Sequence, residues 1–283
     1  MTPDTPGVPA KATHSRSKDG TDEPTAPVTC GIDIGARTIK VVIWDAAERA
    51  VIDSAVADTG PLPQSAARSL YDTVLSRCAH EVRRVVATGY GRGYCDFADQ
   101  QVTEITCHAR GVREVLPDAR TIIDIGGQDS KIIALDEAGK LLDFAMNDRC
   151  AAGTGSFVEL VAAKLNMSVD EMSQAALTSR TGVEITSMCA VFAESEIIGL
   201  LQSGRRPAAV ARGVFDAVAR RMGTLARQVK STPPLAFTGG LALSAAMATA
   251  IGSEFGAAPL IPPQPQLTGA LGAAMIAAEH VEA

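Results

Sequence analysis

The chain has 283 residues, of which 46% are hydrophobic and 20% are charged, and its formal net charge is −6. This length corresponds to about two ordinary domains with sizeable cores. The acidic balance gives no support for a nucleic-acid partner. No run of about 18 apolar residues predicts a membrane span, and the first thirty residues lack the apolar stretch of a signal peptide. We therefore expect a cytoplasmic protein that binds neither nucleic acid nor membrane.

Residues 1–27 contain five prolines and almost no large apolar side chain. Such a segment cannot bury enough surface to offset its chain entropy, so it is predicted to be a disordered tail. An inert extension and a partner-binding arm are the two alternatives for its role.

Three predicted strands follow the tail, at 28–35, 38–45 and 50–56, and the pattern then occurs a second time. A shift of 91 positions lays the Ile-Asp-Ile-Gly motif at 32–35 on the same motif at 123–126, and it lays Lys40 on Lys131. Each copy is a strand, a glycine turn, a strand, a second turn and a strand. We interpret this agreement as an internal duplication.

Predicted helices follow both copies, at 63–79, 102–115, 155–165, 190–201, 208–229 and 269–279. Further strands are predicted at 83–88 and in PLAFTGG at 234–240. Strands alternating with helices predict an α/β architecture with two similar lobes. Lobe I is expected to span 28–118 and to be joined by the C-terminal helix, 267–283. Lobe II is expected to span 119–266.

Both copies place an acidic residue at the mouth of a hairpin, Asp33 in the first and Asp124 in the second. The glycines of these turns permit a positive φ and let a phosphate approach the backbone N–H groups. An aspartate at this place can hold Mg²⁺, because hard cations prefer oxygen ligands. Turn geometry alone would explain a single copy, but two equivalent copies favour a phosphate site.

A third glycine motif, Gly239-Gly240, ends the predicted strand at 234–240 and precedes a helix. Paired glycines would let a flat adenosine group lie against the backbone. A tight β–α turn without a ligand is the alternative.

The three motifs resemble those of the superfamily that contains actin, the 70-kDa heat-shock proteins and sugar kinases. GIDIGARTIK resembles its first phosphate motif, IIDIGGQDSK its second, and AFTGGLAL its adenosine motif. The resemblance implies an actin-like ATPase (ASKHA) fold, with ATP in a cleft between two ribonuclease-H-like lobes. It implies that Asp33 and Asp124 flank Mg²⁺ and phosphate, and that Gln128 or Asp129 orients the attacking water. The implied nucleotide contacts are Gly35, Arg37, Thr38, Lys40, Gly126, Gly127, Gly239 and Gly240. For Lys40, an exposed hairpin lysine is the alternative.

Two of the six cysteines, Cys150 and Cys189, stand where strand-like segments give way to predicted helices. Helix N-termini favour negative charge, which lowers a thiol pKa and suits an iron–sulfur cluster. Two ordinary buried cysteines are the alternative. The run Gly153-Thr154-Gly155 follows Cys150, and its backbone is expected to meet a phosphate.

The sequence around these cysteines is similar to one branch of the superfamily, the BadF/BadG/BcrA/BcrD ATPase family. The matching motifs are MNDRCAAGTGSF, SMCAVFAESEII, ATGYGR, TEITCHARG and PQLTGALGAA. The family comprises activators (component A) of 2-hydroxyacyl-CoA dehydratases and ATPase subunits of class I benzoyl-CoA reductases. The resemblance implies that Cys150 and Cys189 supply half of the ligands of a [4Fe–4S] cluster. A homodimer, or a heterodimer with a related ATPase subunit, would then share the cluster.

The resemblance implies an ATPase that drives an electron from ferredoxin or flavodoxin to an acyl-CoA-binding reductase or dehydratase core. The chain is rich in Arg and Ala, a bias typical of GC-rich genomes, which are commoner among degraders of aromatic compounds. We therefore expect a benzoyl-CoA reductase subunit, with a dehydratase activator as the alternative. A small-molecule kinase and an actin-like assembly protein are further alternatives, but neither gives the cysteines a role.

Overall fold

The computed structural model describes residues 27–147, 153–186 and 190–281, and it contains two β-sheets. The first has the order β3-β2-β1-β4-β5, with β1 (Val28–Ile34), β2 (Thr38–Asp45), β3 (Ala50–Asp58), β4 (Val82–Thr88) and β5 (Gln100–Gln101). The second has the order β8-β7-β6-β9, with β6 (Thr121–Ile125), β7 (Ser130–Leu135), β8 (Leu141–Asn147) and β9 (Leu235–Thr238). The predicted tail, apart from Pro27, lies outside the described residues.

The two sheets repeat one arrangement. In each, three consecutive strands are antiparallel, and a later strand joins the first of them in parallel, β4 beside β1 and β9 beside β6. The register is repeated too, since Asp33 pairs with Lys40 and Asp124 pairs with Lys131. The residues matched by the 91-residue shift therefore occupy equivalent places in the two sheets.

The described chain contains eight α-helices: α1 (Pro63–Leu75), α2 (Glu104–Val115), α3 (Gly155–Lys164), α4 (Val169–Thr178), α5 (Ala190–Gln202), α6 (Pro207–Ala226), α7 (Ala245–Phe255) and α8 (Thr268–Glu279). None of these helices is both long enough and apolar enough to cross a membrane. The sequence predicted a helix after Gly240 without giving its bounds, and this helix is α7, but α4 was not predicted. Both helices have local start signals. A capping box of Ser168 and Glu171 begins α4, and the Ser244 side chain caps α7.

Helices cover both faces of each sheet. Helix α1 packs on one face of the first sheet, through Ala67, Leu70 and Val74. Helices α3 to α7 contribute to the largest core cluster, which includes Phe157, Phe215 and Phe237 and lies on one face of the second sheet. Nearly every residue of α8 is buried, and it covers the other face of the first sheet. Helix α2 covers the other face of the second sheet, together with Ile122 and Ile133. The two lobes therefore meet where α2 and α8 cross.

Glycines allow the backbones of α2 and α8 to touch. A Cβ added at Gly111 would lie 2.0 Å from the Thr268 carbonyl oxygen, and one added at Gly272 would lie 1.8 Å from the Cys107 carbonyl oxygen. Helix α8 approaches the first sheet just as closely, because a Cβ at Gly31 would lie 1.9 Å from the Ala270 carbonyl oxygen. Only residues without a side chain fit at these contacts.

Replacing Gly272 by alanine is expected to lower the free energy of unfolding by about 3 kcal/mol, because α2 and α8 would have to separate. Denaturant titration followed by circular dichroism measures this loss. The control is Gly199→Ala on α5, where an added Cβ meets nothing within 4 Å. There we expect no loss, since alanine is the better helix former. Equal stabilities of the two variants would contradict the close-packed crossing.

Candidate functional site

A cleft opens between the two sheets, at the ends of β1 and β6. Both hairpin turns and the glycine turn after β9 line it. Of the residues expected to bind nucleotide, metal or water, thirteen line this cleft: Asp33, Gly35, Arg37, Thr38, Lys40, Asp124, Gly126, Gly127, Gln128, Asp129, Gly155, Gly239 and Gly240. The fold therefore brings the three glycine motifs, which are far apart in sequence, to one place.

In the first lobe, Asp33 and Lys40 form an ion pair at the inner end of the hairpin. The Lys40 Nζ lies 3.3 Å from an Asp33 carboxylate oxygen, and the lysine side chain is only 14% exposed. Lys40 therefore differs from an exposed hairpin lysine and presents its charge to the cleft. Gly89, at φ +87°, lies so close that a Cβ there would be 2.3 Å from the Asp33 Oδ1. The loop after β4 thus packs directly against this carboxylate.

In the second lobe, Asp124 is buried among groups that stabilise its charge. The Thr238 hydroxyl donates to its Oδ1 at 2.8 Å, the Lys131 Nζ lies 3.5 Å from its Oδ2, and the His108 Nδ1 lies 3.8 Å from its Oδ1. Burial alone would raise the pKa of Asp124, but His108, Lys131 and Thr238 outweigh it and lower the pKa to about 2. This carboxylate is therefore ionised at neutral pH and can bind a cation.

Lys131 lies at the centre of three carboxylates. Its Nζ is 2.9 Å from Asp129, 3.5 Å from Asp124 and 3.5 Å from Glu104, and the side chain is 3% exposed. Burial disfavours its charge, but the three acids outweigh that and keep the pKa of Lys131 above its usual value. One ammonium faces three carboxylates, so this part of the cleft retains negative charge that suits a cation.

Glu104 is a cleft residue that the sequence reasoning did not assign. It opens α2, behind the N-cap Thr103, and its side chain is 17% exposed. Burial raises the pKa of Glu104 above its ordinary value, and Asp129 and Asp33 add to this, although Lys131 and His108 oppose it. The only sequence signal was its place in the motif TEITCHARG, which does not show that α2 points into the cleft.

His108 lies one turn further along α2, at the crossing with α8. Its Nδ1 is 3.2 Å from the Thr268 Oγ1, and a Cβ added at Gly269 would lie 3.2 Å from its Nε2. Cys107 precedes His108 on the same helix. Both side chains are buried, and they lie inside α2.

The third wall of the cleft is the turn after β9. Gly239 has φ +85°, and a Cβ there would lie 2.3 Å from the Ile125 carbonyl oxygen. The turn therefore fits against the end of β6 only without a side chain. Beyond it the lining becomes partly apolar, with Val169, Leu241 and Leu243. A flat nucleoside suits this end of the cleft, and the charged end suits phosphates.

The run Gly153-Thr154-Gly155 differs from the expectation that its backbone meets a phosphate. Gly155 lines the cleft, but its N–H donates to the Gly126 carbonyl at 2.8 Å. The Ser156 N–H donates to the Gly127 carbonyl, also at 2.8 Å. Thr154 is fully buried and Gly153 packs against Arg221, so neither lines the cleft. This segment therefore supports the hairpin turn at 126–127 from behind.

Cys150 and Cys189, the predicted cluster ligands, lie outside the described residues. The four described cysteines are Cys30, Cys78, Cys95 and Cys107. Burial raises the pKa of Cys30 well above its usual value, that of Cys95 to about 11 and that of Cys107 to about 12. Such thiols are poor thiolate donors. Across the described residues, no group of three or more His, Cys, Asp or Glu side chains is arranged to hold a metal ion.

Comparison with known proteins extends over nearly the whole folded chain. Residues 30–277 match the model of the BadF/BadG/BcrA/BcrD ATPase family. The 2-hydroxyisocaproyl-CoA dehydratase activator of Clostridioides difficile is 40% identical over 259 residues, 90% of this chain and 96% of that protein. A benzoyl-CoA reductase subunit from Thauera aromatica is 30% identical over 225 residues, 76% of this chain and 79% of that protein.

The structure also resembles solved proteins. The activator of the 2-hydroxyisocaproyl-CoA dehydratase from Clostridium difficile, solved with bound ADPNP, has a TM-score of 0.82 and 38% identity. The match covers 89% of this chain and 94% of that one. A ROK family glucokinase from Streptomyces griseus, at 15% identity over 89% of this chain and 99% of that one, shares the fold alone, with a TM-score of 0.54. The predicted actin-like α/β fold is confirmed.

Proposed function

Since the chain belongs to the BadF/BadG/BcrA/BcrD ATPase family, we propose that it is an ATP-hydrolysing electron-transfer activator of a 2-hydroxyacyl-CoA dehydratase. The observation that carries the ATPase part is the pair of lobe-related aspartates, Asp33 and Asp124, each beside a lysine at the mouth of the same cleft. A duplicated site of this kind suits a ligand that is bound from both lobes at once.

The choice of a dehydratase over benzoyl-CoA reductase rests on similarity. A dehydratase activator is 40% identical over 90% of the chain, whereas a benzoyl-CoA reductase subunit is 30% identical over 76%. The composition-based preference for the benzoyl-CoA type is therefore the less well supported of the two. Either function would use the same nucleotide site and the same cysteine motifs of this chain.

Mg²⁺ fits the charged end of the cleft. Asp124 stays ionised even well below neutral pH, and Asp33 lines the same cleft from the other lobe. Mg²⁺ is usually held by one or two carboxylates together with waters and phosphate oxygens. Two aspartates therefore match the usual protein coordination of Mg²⁺. The bound ion would offset negative charge on the phosphates.

The phosphates would lie between the two hairpin turns. Lys40 and Arg37 supply positive charge from the first lobe, and the glycine turns at 35–38 and 126–127 let the chain approach closely. The adenosine would lie at the other end of the cleft, against Gly239 and Gly240. Thr38 lines the cleft beside the first turn.

Glu104 is the group we assign to activate water for hydrolysis. Asp129 lies 2.9 Å from the Lys131 Nζ, closer than Glu104 at 3.5 Å, so the Asp129 charge is the more strongly engaged of the two, and Gln128 is exposed at the edge of the turn. Glu104 has a raised pKa while Asp124 has a lowered one, the pattern expected of a base beside a metal ligand. The water oxygen attacks the terminal phosphorus, its proton passes to the Glu104 carboxylate, and the bond to ADP breaks.

A [4Fe–4S] cluster would require four thiolates, and we assign two of them to Cys150 and Cys189. Helices α3 and α5 begin at Gly155 and Ala190, shortly after these cysteines, and helix N-termini favour negative charge. The raised pKa values of Cys30, Cys95 and Cys107 argue against those three as donors. A second subunit, identical or related, would supply the other two thiolates. The cluster would carry one electron from ferredoxin or flavodoxin towards the dehydratase core.

Anaerobic purification tests this function. We expect a coloured protein with about two irons per chain, since two subunits would share four, and with ATPase activity. Cys150→Ala and Cys189→Ala are each expected to lose the iron and the visible absorption and to weaken the dimer. Cys78→Ala is the control, because Cys78 is not assigned to the cluster, and it should keep its iron. A colourless protein that phosphorylates a sugar with ATP would instead support a small-molecule kinase.

A further inference from the structure

An ion pair crosses the cleft between the two lobes. The Arg37 Nη2, on the turn between β1 and β2, lies 2.7 Å from the Glu159 Oε2 on α3. The Arg37 stem also packs on the second phosphate turn, where a Cβ added at Gly127 would lie 2.2 Å from the Arg37 Cγ. Arg37 therefore contacts the second lobe at two places, although it belongs to the first phosphate turn.

Helix α3 contacts both phosphate turns. Its first residues, Gly155 and Ser156, donate backbone hydrogen bonds to Gly126 and Gly127, and the Ser156 hydroxyl donates to Gly127 as well. One turn later, Glu159 binds Arg37 of the other lobe. Gly155 follows Cys150 by five positions. A change at either turn can therefore be transmitted to the helix that follows this cysteine.

The Arg37 guanidinium cannot pair equally well with Glu159 and with a bound phosphate. Both residues line the cleft, and their side chains are 54% and 44% exposed. An exposed ion pair shifts an equilibrium only about 1.4- to 5-fold, so a competing anion can break it. A phosphate group bears more charge than a carboxylate, and it accepts paired hydrogen bonds from a guanidinium.

We propose that Glu159 is the positioning residue through which α3 responds to the terminal phosphate of ATP, because Glu159 holds Arg37 across the cleft until that phosphate replaces Glu159 as the partner of Arg37. The proposal rests on the proposed function in one respect, namely that ATP is the ligand. With ADP or no nucleotide, Arg37 stays on Glu159 and the first phosphate turn is tied to α3. With ATP, Arg37 moves to the phosphate and α3 is released from the first lobe.

The test compares binding of Mg²⁺–ADPNP and of ADP to the full chain by calorimetry. Glu159→Gln removes the carboxylate that competes with the phosphate for Arg37. We therefore expect ADPNP to bind about two- to fivefold more tightly than it binds the wild type, and the affinity for ADP to stay unchanged. The matched control is Asp53→Asn, which removes an ion pair of similar length, 2.8 Å to Arg77, inside the first lobe. It should change neither affinity. An unchanged ratio of ADPNP to ADP affinity in Glu159→Gln would overturn the proposal.

Hydrogen exchange of residues 157–164 gives a second readout. In the wild type, ADPNP should speed exchange in α3 relative to ADP, and Glu159→Gln should show the faster exchange without nucleotide. The exchanged pair Arg37→Glu with Glu159→Arg should restore slow exchange but lose the preference for ADPNP. Equal exchange with ADPNP and ADP in the wild type would overturn the proposal. A wild-type chain that binds neither nucleotide would reject the proposed function itself. Normal ATPase activity of the wild type, together with unchanged nucleotide affinities in Glu159→Gln, would reject only this inference.

Discussion

Replacing Asp124 by asparagine is expected to lower kcat/KM for Mg²⁺–ATP hydrolysis by about a thousandfold. Bound metal ions stabilise developing charge by several kcal/mol, and about 4 kcal/mol corresponds to this factor. Asparagine keeps the shape of the side chain and an oxygen that can accept the Thr238 hydrogen bond, which is 2.8 Å in the wild type. The fold should survive, because Lys131 retains Asp129 and Glu104 as partners. A steady-state assay of phosphate release across Mg²⁺ concentrations measures the loss.

Asp136→Asn is the matched control for this substitution. Asp136 lies on the turn between β7 and β8, where its carboxylate accepts a hydrogen bond from the Lys140 N–H and does not line the cleft. Loss of the Asp136 charge should affect the turn but leave kcat/KM for ATP hydrolysis within about twofold of the wild-type value, as expected for a position outside the cleft. Similar activities of Asp124→Asn and the wild type would refute the metal role of Asp124.

Glu104→Gln is expected to lower kcat by about 10² to 10⁴, the usual contribution of a general base. Glutamine retains the size of the side chain but cannot accept a proton. Binding of Mg²⁺–ADPNP should therefore change little, and calorimetry separates this from the kinetic effect. Glu114→Gln is the control, because Glu114 lies on the same helix but outside the cleft, where it pairs with Arg49. Full activity in Glu104→Gln would return the role to Gln128 or Asp129.

The pH dependence gives an independent check on Glu104. Burial raises its pKa above the ordinary value, and Asp129 and Asp33 reinforce this against Lys131 and His108. The base form is lost as the pH falls through this raised value. The acid side of the wild-type kcat/KM profile should therefore decline at a higher pH than an exposed glutamate would give, and Glu104→Gln should lack this decline. An identical acid limb in both proteins would count against proton transfer to Glu104.

Several parts of the site were predictable because their signals are local. The repeated Asp-Ile-Gly motif predicted two equivalent hairpins, and the structure pairs Asp33 with Lys40 and Asp124 with Lys131 in the same register. Strand alternation and turn glycines depend on neighbouring residues only, so they can be read from sequence. The missed helix α4 also carried a local cap signal, at Ser168, and a similar signal at Ser244 marks the start of α7.

Other parts depended on packing between distant segments. Glu104 reaches Lys131 because α2 covers the second sheet, and His108 approaches Asp124 because α2 crosses α8. The same packing gave Gly155 a different role from the predicted one, since its N–H donates a hydrogen bond to the Gly126 carbonyl.

By itself, the sequence determined two equivalent hairpin turns, the succession of strands along the chain around them and a pair of aspartates with their lysines. Only the tertiary structure decided which other charges surround those turns. The contacts of Glu104 with Lys131 and of Glu159 with Arg37 join residues 27 and 122 positions apart. The physical reason is that hydrophobic periodicity fixes which face of an element is buried, whereas the meeting of two faces depends on how the sheets and crossing helices pack together.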